Sequence, residues 1–180
     1  TAFFILSIIF WKFLELTDVQ INKISFSLNL MKFFIFLIFL QLIIGAFVSG
    51  MDAGTVYNTW PLMGSSYFPD DSKFIEFKNI NVFDNPSIVQ FIHRNLAYII
   101  GIFYLWIFYK IYKDKMYELY KPINILGFFI ILQIILGVIT IIYGAQIFIA
   151  SMHQISSIFL VASCIYFLFL NTKSNLQLSS

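Results

Sequence analysis

Long runs of apolar residues, separated by shorter polar connections, make up most of this chain. A helix of about 20 apolar residues can span the hydrocarbon core of a membrane, because it pairs its backbone polar groups internally. Four runs reach that length and predict membrane-spanning helices at 31–50, 87–109, 123–143 and 147–170. A fifth run, 2–14, has the same composition but only about two thirds of that length.

The short run is interpreted as the end of a truncated transmembrane helix occupying residues 1–14. A signal peptide is the rival interpretation, but it requires basic residues ahead of the apolar run, and none is present. Thr1 is not an initiator methionine. We therefore expect this sequence to be the carboxy-terminal part of a longer protein.

Composition supports the membrane assignment, since 60% of the residues are hydrophobic, 11% are charged and the mean hydropathy is +0.87. A chain this apolar does not remain soluble as one small globule. The net charge of +2 is small and gives no indication of a nucleic-acid partner. The predicted fold class is an all-α integral membrane protein, in which residues 31–170 form a four-helix transmembrane bundle.

The charges of the connections predict the orientation of these helices, because basic connections face the cytoplasm. The long segment 51–86 carries more acidic than basic residues, and the short turn 143–146 carries no charge. We therefore expect 15–30 to be a cytoplasmic connection, 51–86 an outer loop and 171–180 a cytoplasmic tail. The lysines of the connections predicted to be cytoplasmic are Lys12, Lys23, Lys32, Lys110, Lys113, Lys115 and Lys121.

The chain contains two histidines, His93 and His153. Each follows the predicted start of its helix by about six residues, roughly 9 Å of rise, and both helices run from outside to inside. An ionisable side chain within a membrane span is costly and marks a functional site. The two imidazoles are thus predicted at one depth near the outer surface, where they could clamp a flat cofactor from both faces.

Small residues near the histidines favour a haem over a bare metal ion, because they leave a slot between helices. They also permit close helix packing without any cofactor, and both interpretations stay open. Zinc usually takes three or four protein ligands, whereas haem iron needs two axial ligands. His93 and His153 are therefore the predicted metal ligands. The small residues predicted on their faces are Ala97, Gly101, Ala150, Ser156, Ser157 and Cys164.

An internal repeat indicates that the bundle consists of two repeated hairpins. Gln41 followed by Gly45 in the first complete helix matches Gln133 followed by Gly137 in the third. Each of these helices leads through an outer connection into a histidine helix. We expect the glutamine amides to form hydrogen bonds between helices. The glycines should allow a porphyrin edge or a neighbouring backbone to approach closely.

Polar residues near the outer boundary have several possible roles. Arg94 could bind a haem propionate through its planar guanidinium, or it could snorkel to the membrane surface. Asp52 and the pair Asp70 and Asp71 are interpreted as solvated carboxylates, and no residue is assigned as catalytic. Because the segment 51–86 exceeds about 15 residues, we expect it to fold over the outer end of the bundle and to shield a haem.

Four segments resemble motifs of haem A synthase, and they follow the family order between residues 41 and about 170. They are DAGTVYNTWPLMG at 52–64, FDNPSIVQFIHRNLA at 83–97, LQIILGVIT at 132–140 and MHQ at 152–154. In that family the intact protein oxidises the methyl group of haem O to the formyl group of haem A for terminal oxidases. The motifs are similar to those of the carboxy-terminal half, whose two histidines bind a haem b.

The resemblance implies that His93 and His153 are the axial ligands of a haem b. The chemistry on haem O is attributed to the amino-terminal half, so this chain alone is expected to be inactive. Implied partners are the missing half, haem O, the lipid bilayer, and either further copies of the chain or haem O synthase. The implied location is a bacterial cell membrane or the mitochondrial inner membrane. Some members carry a cysteine pair in the outer loop, which this chain lacks.

Two other function classes stay open. One is a non-enzymatic b-type cytochrome module for electron transfer or haem storage, which composition and spacing do not separate from the enzyme. The other is a transporter fragment built from two hairpins, although no span is interrupted by proline at the midplane.

Overall fold

A computed structural model describes residues 2–17, 26–73, 75 and 80–179 of the chain. The regular structure of these residues is helical. Short 3-10 turns lie at Ala53–Thr55, Ile80–Asp84 and Tyr117–Leu119. The α-helices of the described chain are α1 (Ala2–Glu15), α2 (Leu28–Gly50), α3 (Pro86–Lys113), α4 (Tyr120–Ile142) and α5 (Ile147–Ser179).

Four segments of the described chain are long and apolar enough to cross a membrane. They are Leu28–Gly50, Pro86–Lys113, Tyr117–Ile142 and Ile147–Lys173, with mean hydropathies of 2.5, 1.4, 2.9 and 1.9. Large apolar side chains on their surfaces, such as Ile102 and Phe128, are 68% and 62% exposed. Lipid is the solvent in which such side chains carry no penalty. The predicted all-α integral membrane class is confirmed.

The helices are longer than their apolar runs. α2 and α4 each begin three residues before the predicted start, and α3 ends four residues after the predicted end. α5 continues through most of the predicted tail 171–180. Hydropathy marks the span within lipid, whereas backbone hydrogen bonding continues into the polar flanks. Part of the predicted connection 15–30, namely residues 18–25, lies outside the described residues.

The chain divides into two compact units. The first contains the chain up to Phe36, Gly101–Gln133 and the chain from Ile155. Aromatic contacts join its helices, with ring centroids 5.8 Å apart for Phe34 and Phe103. The Tyr104 hydroxyl donates a hydrogen bond to the Ile123 carbonyl at 3.2 Å. Gly127 makes room for it, because a Cβ there would overlap the Tyr104 hydroxyl.

The second unit contains Leu37–Ile100 and Ile134–Gln154, and it includes both histidines. α4 ends in this unit at a tight turn, where Gly144 and Ala145 have φ of 65° and 56°. The Ala145 N–H bonds to the Thr140 carbonyl at 2.8 Å, and the Gly144 N–H bonds to the Ile141 carbonyl at 3.0 Å. This is the Schellman pattern, which satisfies the last carbonyls of a helix. It allows α5 to begin at Ile147.

Candidate cofactor site

The two histidines occupy equivalent positions on their helices. His93 lies in the second turn of α3, and His153 lies in the second turn of α5. Both side chains are half-buried and belong to the second unit. The structure therefore places in one unit the two side chains that the sequence singled out.

A glycine lies against each imidazole. A Cβ at Gly45 would be 3.1 Å from His93 Cε1, and a Cβ at Gly137 would be 3.2 Å from His153 Cε1. These separations are tighter than ordinary van der Waals contact. The close approach predicted at both glycines is present, but the neighbour in this structure is the histidine ring and not a backbone. The repeat in the sequence is thus a repeat of one packing arrangement.

Gln41 contacts His93 at two points. Its side-chain nitrogen donates a hydrogen bond to the His93 backbone carbonyl at 3.1 Å and lies 3.3 Å from the ring nitrogen Nε2. In the other repeat, Gln133 donates to the Ser156 hydroxyl at 2.6 Å within the first unit. Both glutamines therefore form the hydrogen bonds between helices that the sequence predicted.

The second ring nitrogen of His93, Nδ1, is buried without a hydrogen-bond partner, and so is the Gln41 side-chain oxygen. A buried polar atom left unpaired costs on the order of 1–3 kcal/mol, and each such atom in a native fold needs an explanation. An imidazole in these surroundings is a nitrogen donor suited to a transition metal. In the described chain, no group of three or more His, Cys, Asp or Glu side chains could hold a metal ion.

The predicted small-residue slot is divided between the two units. Ala97 and Ala150 belong to the unit of the histidines. The others lie in the first unit, where Ser156, Ser157 and Cys164 are buried. The interpretation as close helix packing therefore accounts for these three residues.

Arg94 is buried, with 5% of its surface exposed, so of the two open alternatives the burial does not support the one in which it snorkels to the membrane surface. Its Nη1 donates hydrogen bonds to the carbonyls of Thr59 and Leu62 at 2.9 and 3.2 Å. Its Nη2 donates to the Tyr57 carbonyl at 2.9 Å. These carbonyls explain why the guanidinium turns inward, because several backbone acceptors of the loop 51–86 converge on it. A propionate contact stays a prediction.

Further hydrogen bonds connect this loop to the helices. These hydrogen bonds confirm that the described part of the segment 51–86 is folded against α3 and the end of α4, as the sequence predicted. Asn58 also satisfies the Ile141 carbonyl, one of the last in α4. The hydrogen bonds are Gln90 to the Tyr57 carbonyl (3.1 Å), Trp60 to the Tyr98 hydroxyl (2.9 Å), Tyr67 to the Asn95 side chain (2.6 Å) and Asn58 to the Ile141 carbonyl (2.9 Å).

Asp70 is exposed, as predicted, but it is more than a solvated carboxylate. It accepts hydrogen bonds from the Ser65 N–H at 2.7 Å and from the hydroxyls of Ser65 and Ser66 at 3.0 and 2.9 Å. These hydrogen bonds lower the pKa of the Asp70 carboxyl. Gly64 is required beside it, because its φ is 84° and a Cβ there would overlap the carboxylate.

Asp71 joins the loop to the start of α3. It accepts hydrogen bonds from the hydroxyls of Ser87 and Ser72 at 2.6 and 3.0 Å. Burial raises the pKa of its carboxyl, but the hydrogen bonds from Ser87, Tyr57 and Ser72 outweigh that effect, and the net shift is downward. The interpretation of Asp71 as only solvated was incomplete.

Sequence reasoning overlooked the cap of α3. The Asn85 side-chain oxygen accepts the Ser87 N–H at 3.0 Å, and Pro86 occupies the first helical position. Asparagine followed by proline is a recognisable helix start, so this signal was present in the sequence. The cap fixes where α3 begins and hence the depth of His93.

Together these features define an all-α integral membrane protein with a pair of histidines on repeated hairpins, in a unit that also contains a folded loop. The sequence model of the COX15-CtaA family, described as cytochrome oxidase assembly protein, matches residues 1–165. The chain belongs to this family.

Relatives named heme A synthase are similar to this chain. The protein of Pelagibacter ubique is 43% identical over 177 residues, which cover 97% of this chain and 51% of that protein. The protein of Flavobacterium johnsoniae is 34% identical over 173 residues, which cover 92% of this chain and 50% of that protein. The chain spans about half the length of these curated relatives. No solved structure matches it.

Proposed function

We propose that this chain is the carboxy-terminal, haem b-binding half of a haem A synthase. In the intact protein, the methyl group of haem O would be oxidised to the formyl group of haem A for terminal oxidase assembly. The observation that carries this proposal is the pairing of His93 and His153 within one unit of a chain that belongs to the cytochrome oxidase assembly family.

The residues present fit a haem held by two axial ligands. His93 and His153 belong to one unit, and His93 Nδ1 is a buried ring nitrogen without a hydrogen-bond partner. Gly45 and Gly137 let the two rings lie against α2 and α4 at nearly equal separations. A bis-histidine haem requires two neutral imidazoles in an apolar setting, and the two membrane helices provide them.

When bound, the haem would supply one-electron transfer. The chain itself holds and orients the two imidazoles through the helices α3 and α5. Arg94 holds the carbonyls of the outer loop, which would keep water away from the outer end of the site. No residue of this chain is assigned to the chemistry on haem O, which we attribute to the amino-terminal half.

We further propose that the loop 51–86 and the turn 143–146 face the outer side of a bacterial cell membrane or the mitochondrial inner membrane. The acidic loop and the lysines of the opposite connections support this orientation. The partners would be the amino-terminal half, haem O, and either further copies of the chain or haem O synthase.

The proposal is tested by purifying the chain from membranes, measuring its haem, and assaying conversion of haem O. We expect one haem b per chain and no haem A from this chain alone. Supplying the amino-terminal half of a relative should restore conversion. A chain that binds haem b but supports no conversion with any such half would favour the non-enzymatic cytochrome. A chain without haem would contradict the proposal.

A further inference from the structure

The stretch 53–69 of the loop carries no charged residue, although Asp52 and Asp70 flank it. The charges of the segment 51–86 therefore lie outside this stretch. Several of its large apolar and aromatic side chains are exposed in the structure. These side chains and their exposed fractions are Val56 (40%), Trp60 (45%), Leu62 (43%) and Tyr67 (47%).

Two of these side chains lie on one face of α3. Trp60 donates a hydrogen bond to the Tyr98 hydroxyl at 2.9 Å, and Tyr67 donates one to the Asn95 side chain at 2.6 Å. Asn95 and Tyr98 are three residues apart and are therefore neighbours on the helix surface. Ile99, one turn beyond Asn95, is 53% exposed on a membrane-spanning helix. The loop thus packs on α3 beside a surface that faces lipid.

The depth of these contacts follows from the length of α3. Lys110 is the first lysine of the helix and marks one end of its apolar span. About 20 helical residues cross the hydrocarbon core, so the other boundary lies near Gln90. Asn95 and Tyr98 come five and eight residues after Gln90, which places them roughly 8 and 12 Å inside that boundary. The two aromatic side chains of the loop are held at this depth.

An irregular backbone at this depth needs protein partners for its polar groups, because lipid offers none. Side chains and backbone groups of the same unit supply such partners. The segment therefore meets the condition under which non-helical chain exists within a membrane. The hydrogen bonds are Arg94 to the carbonyls of Tyr57 (2.9 Å), Thr59 (2.9 Å) and Leu62 (3.2 Å), Gln90 to the Tyr57 carbonyl (3.1 Å), the Thr59 hydroxyl to the Leu62 carbonyl (2.9 Å), the Gly64 N–H to the Thr59 hydroxyl (3.1 Å) and the Met63 N–H to the Ser66 carbonyl (2.8 Å).

We propose that residues 56–67 form a membrane-inserted segment whose exposed side chains contact lipid in the leaflet near the start of α3. Tryptophan and tyrosine suit this level of a bilayer, because each has an apolar ring and one polar group. The polar groups of Trp60 and Tyr67 are already paired with α3, so their rings are free to contact acyl chains. Asp52 and Asp70 are exposed and return the chain to water at both ends. The inference does not depend on haem and goes beyond the proposed function.

Nitroxide labels on the chain in vesicles of phosphatidylcholine and phosphatidylglycerol test this inference. One label at a time is attached to Leu62→Cys, Ile99→Cys or Lys73→Cys in a Cys164→Ala background. Collisions with oxygen, which concentrates in lipid, are compared with collisions with a water-soluble nickel chelate. We expect the oxygen-to-nickel ratio at Leu62 to be several-fold higher than at the exposed Lys73 and close to the ratio at Ile99.

A ratio at Leu62 equal to that at Lys73 would overturn the inference, because the segment would then lie in water. Few collisions with either reagent at Leu62 would also overturn it, since protein would then cover the segment.

The fluorescence of Trp60 gives a second measurement that needs no label. The other tryptophans, Trp11 and Trp106, are replaced by phenylalanine. We expect lipids brominated on their acyl chains to quench Trp60 more strongly than acrylamide does. Stronger quenching by acrylamide would contradict the inference.

Discussion

The hairpin of α2 and α3 and the hairpin of α4 and α5 hold their histidines in the same way but are closed in different ways. The glycine-to-imidazole separations are 3.1 and 3.2 Å. Yet the first pair of helices is connected by the long segment 51–85, and the second by the tight turn 143–146. Because the same ring packing occurs with and without the long loop, it belongs to the helix repeat, and the loop is an addition.

The residues that come directly after the two histidines also differ between the hairpins. Arg94 follows His93 and is buried among carbonyls of the long loop, whereas Gln154 follows His153 and is exposed. A buried guanidinium is stable only where several acceptors surround it. The long loop provides those acceptors beside His93.

The largest expected effect concerns the side of the membrane that the two connections face. We expect cysteines introduced at Lys73 and Tyr143 to react with a membrane-impermeant reagent from the outer side. A cysteine at Asp114 should react only from the cytoplasmic side. The single native cysteine, Cys164, is buried and should give a low background. Labelling of all three positions from one side would refute the orientation.

The next effect concerns the buried cation of the first hairpin. Arg94→Ala removes three charge-assisted hydrogen bonds and leaves the Thr59 carbonyl without its donor, whereas the carbonyls of Tyr57 and Leu62 keep the Gln90 amide and the Thr59 hydroxyl. We expect it to lower the free energy of unfolding by about 3 kcal/mol. Gln146→Ala, a change at an exposed position in the turn of the second hairpin, should stay within about 0.5 kcal/mol of the parent. Denaturant unfolding in detergent measures both. Equal effects would mean that the loop does not depend on Arg94.

A smaller effect is expected at the two glycines. A methyl group at Gly45 or Gly137 would press on a histidine ring, and such overpacking costs about 1–3 kcal/mol. The gain in helix propensity of about 1 kcal/mol offsets part of that cost.

Gly45→Ala and Gly137→Ala should therefore weaken haem binding similarly, by a few-fold to about 30-fold. A methyl group added at Gly50 would meet no atom within 4 Å, so Gly50→Ala is the control and should bind haem like the parent. The equilibrium affinity for haem b measures all three variants. A large effect at only one of the two histidine-facing glycines would show that the repeats are not equivalent.

The smallest effect is the pH dependence of the loop. The pKa of Asp71 is lower in the folded chain than the value of about 3.9 expected when unfolded. Its stabilisation is therefore complete above that value and is lost as the pH falls through the folded pKa. We expect hydrogen-exchange protection of the Asp71 amide, corrected for intrinsic rates, to fall up to about fivefold below pH 4.

The matched variants separate this cause from a general effect of acid. Asp71→Asn should already show the reduced protection at pH 6 and little further change. Asp84→Asn, an exposed change in the same connection, should follow the parent. An unchanged pH response in Asp71→Asn would assign the effect to another group.

Much of the fold could be predicted from apolar runs alone, because lipid requires uninterrupted helices. The position of each histidine in the second turn of its helix also followed from the sequence. That the two rings share one depth in the membrane stays a prediction. The close approach at Gly45 and Gly137 followed from the repeat, although the sequence did not identify the histidine rings as the neighbours.

The contacts of the loop 51–86 could not be derived in the same way. Its structure depends on single hydrogen bonds between residues far apart in sequence, such as Arg94 with the Tyr57 carbonyl. Hydropathy carries no information on such contacts. The carboxylates of Asp70 and Asp71 were underestimated for the same reason, because their partners are serine hydroxyls and backbone groups.

The central claim is that His93 and His153 share one iron. Electron paramagnetic resonance of the ferric, haem-loaded chain tests it most directly, compared with His93→Ala and His153→Ala. The account predicts one low-spin bis-histidine signal in the parent and its loss in each single variant. A low-spin signal that survives in either variant would contradict the account.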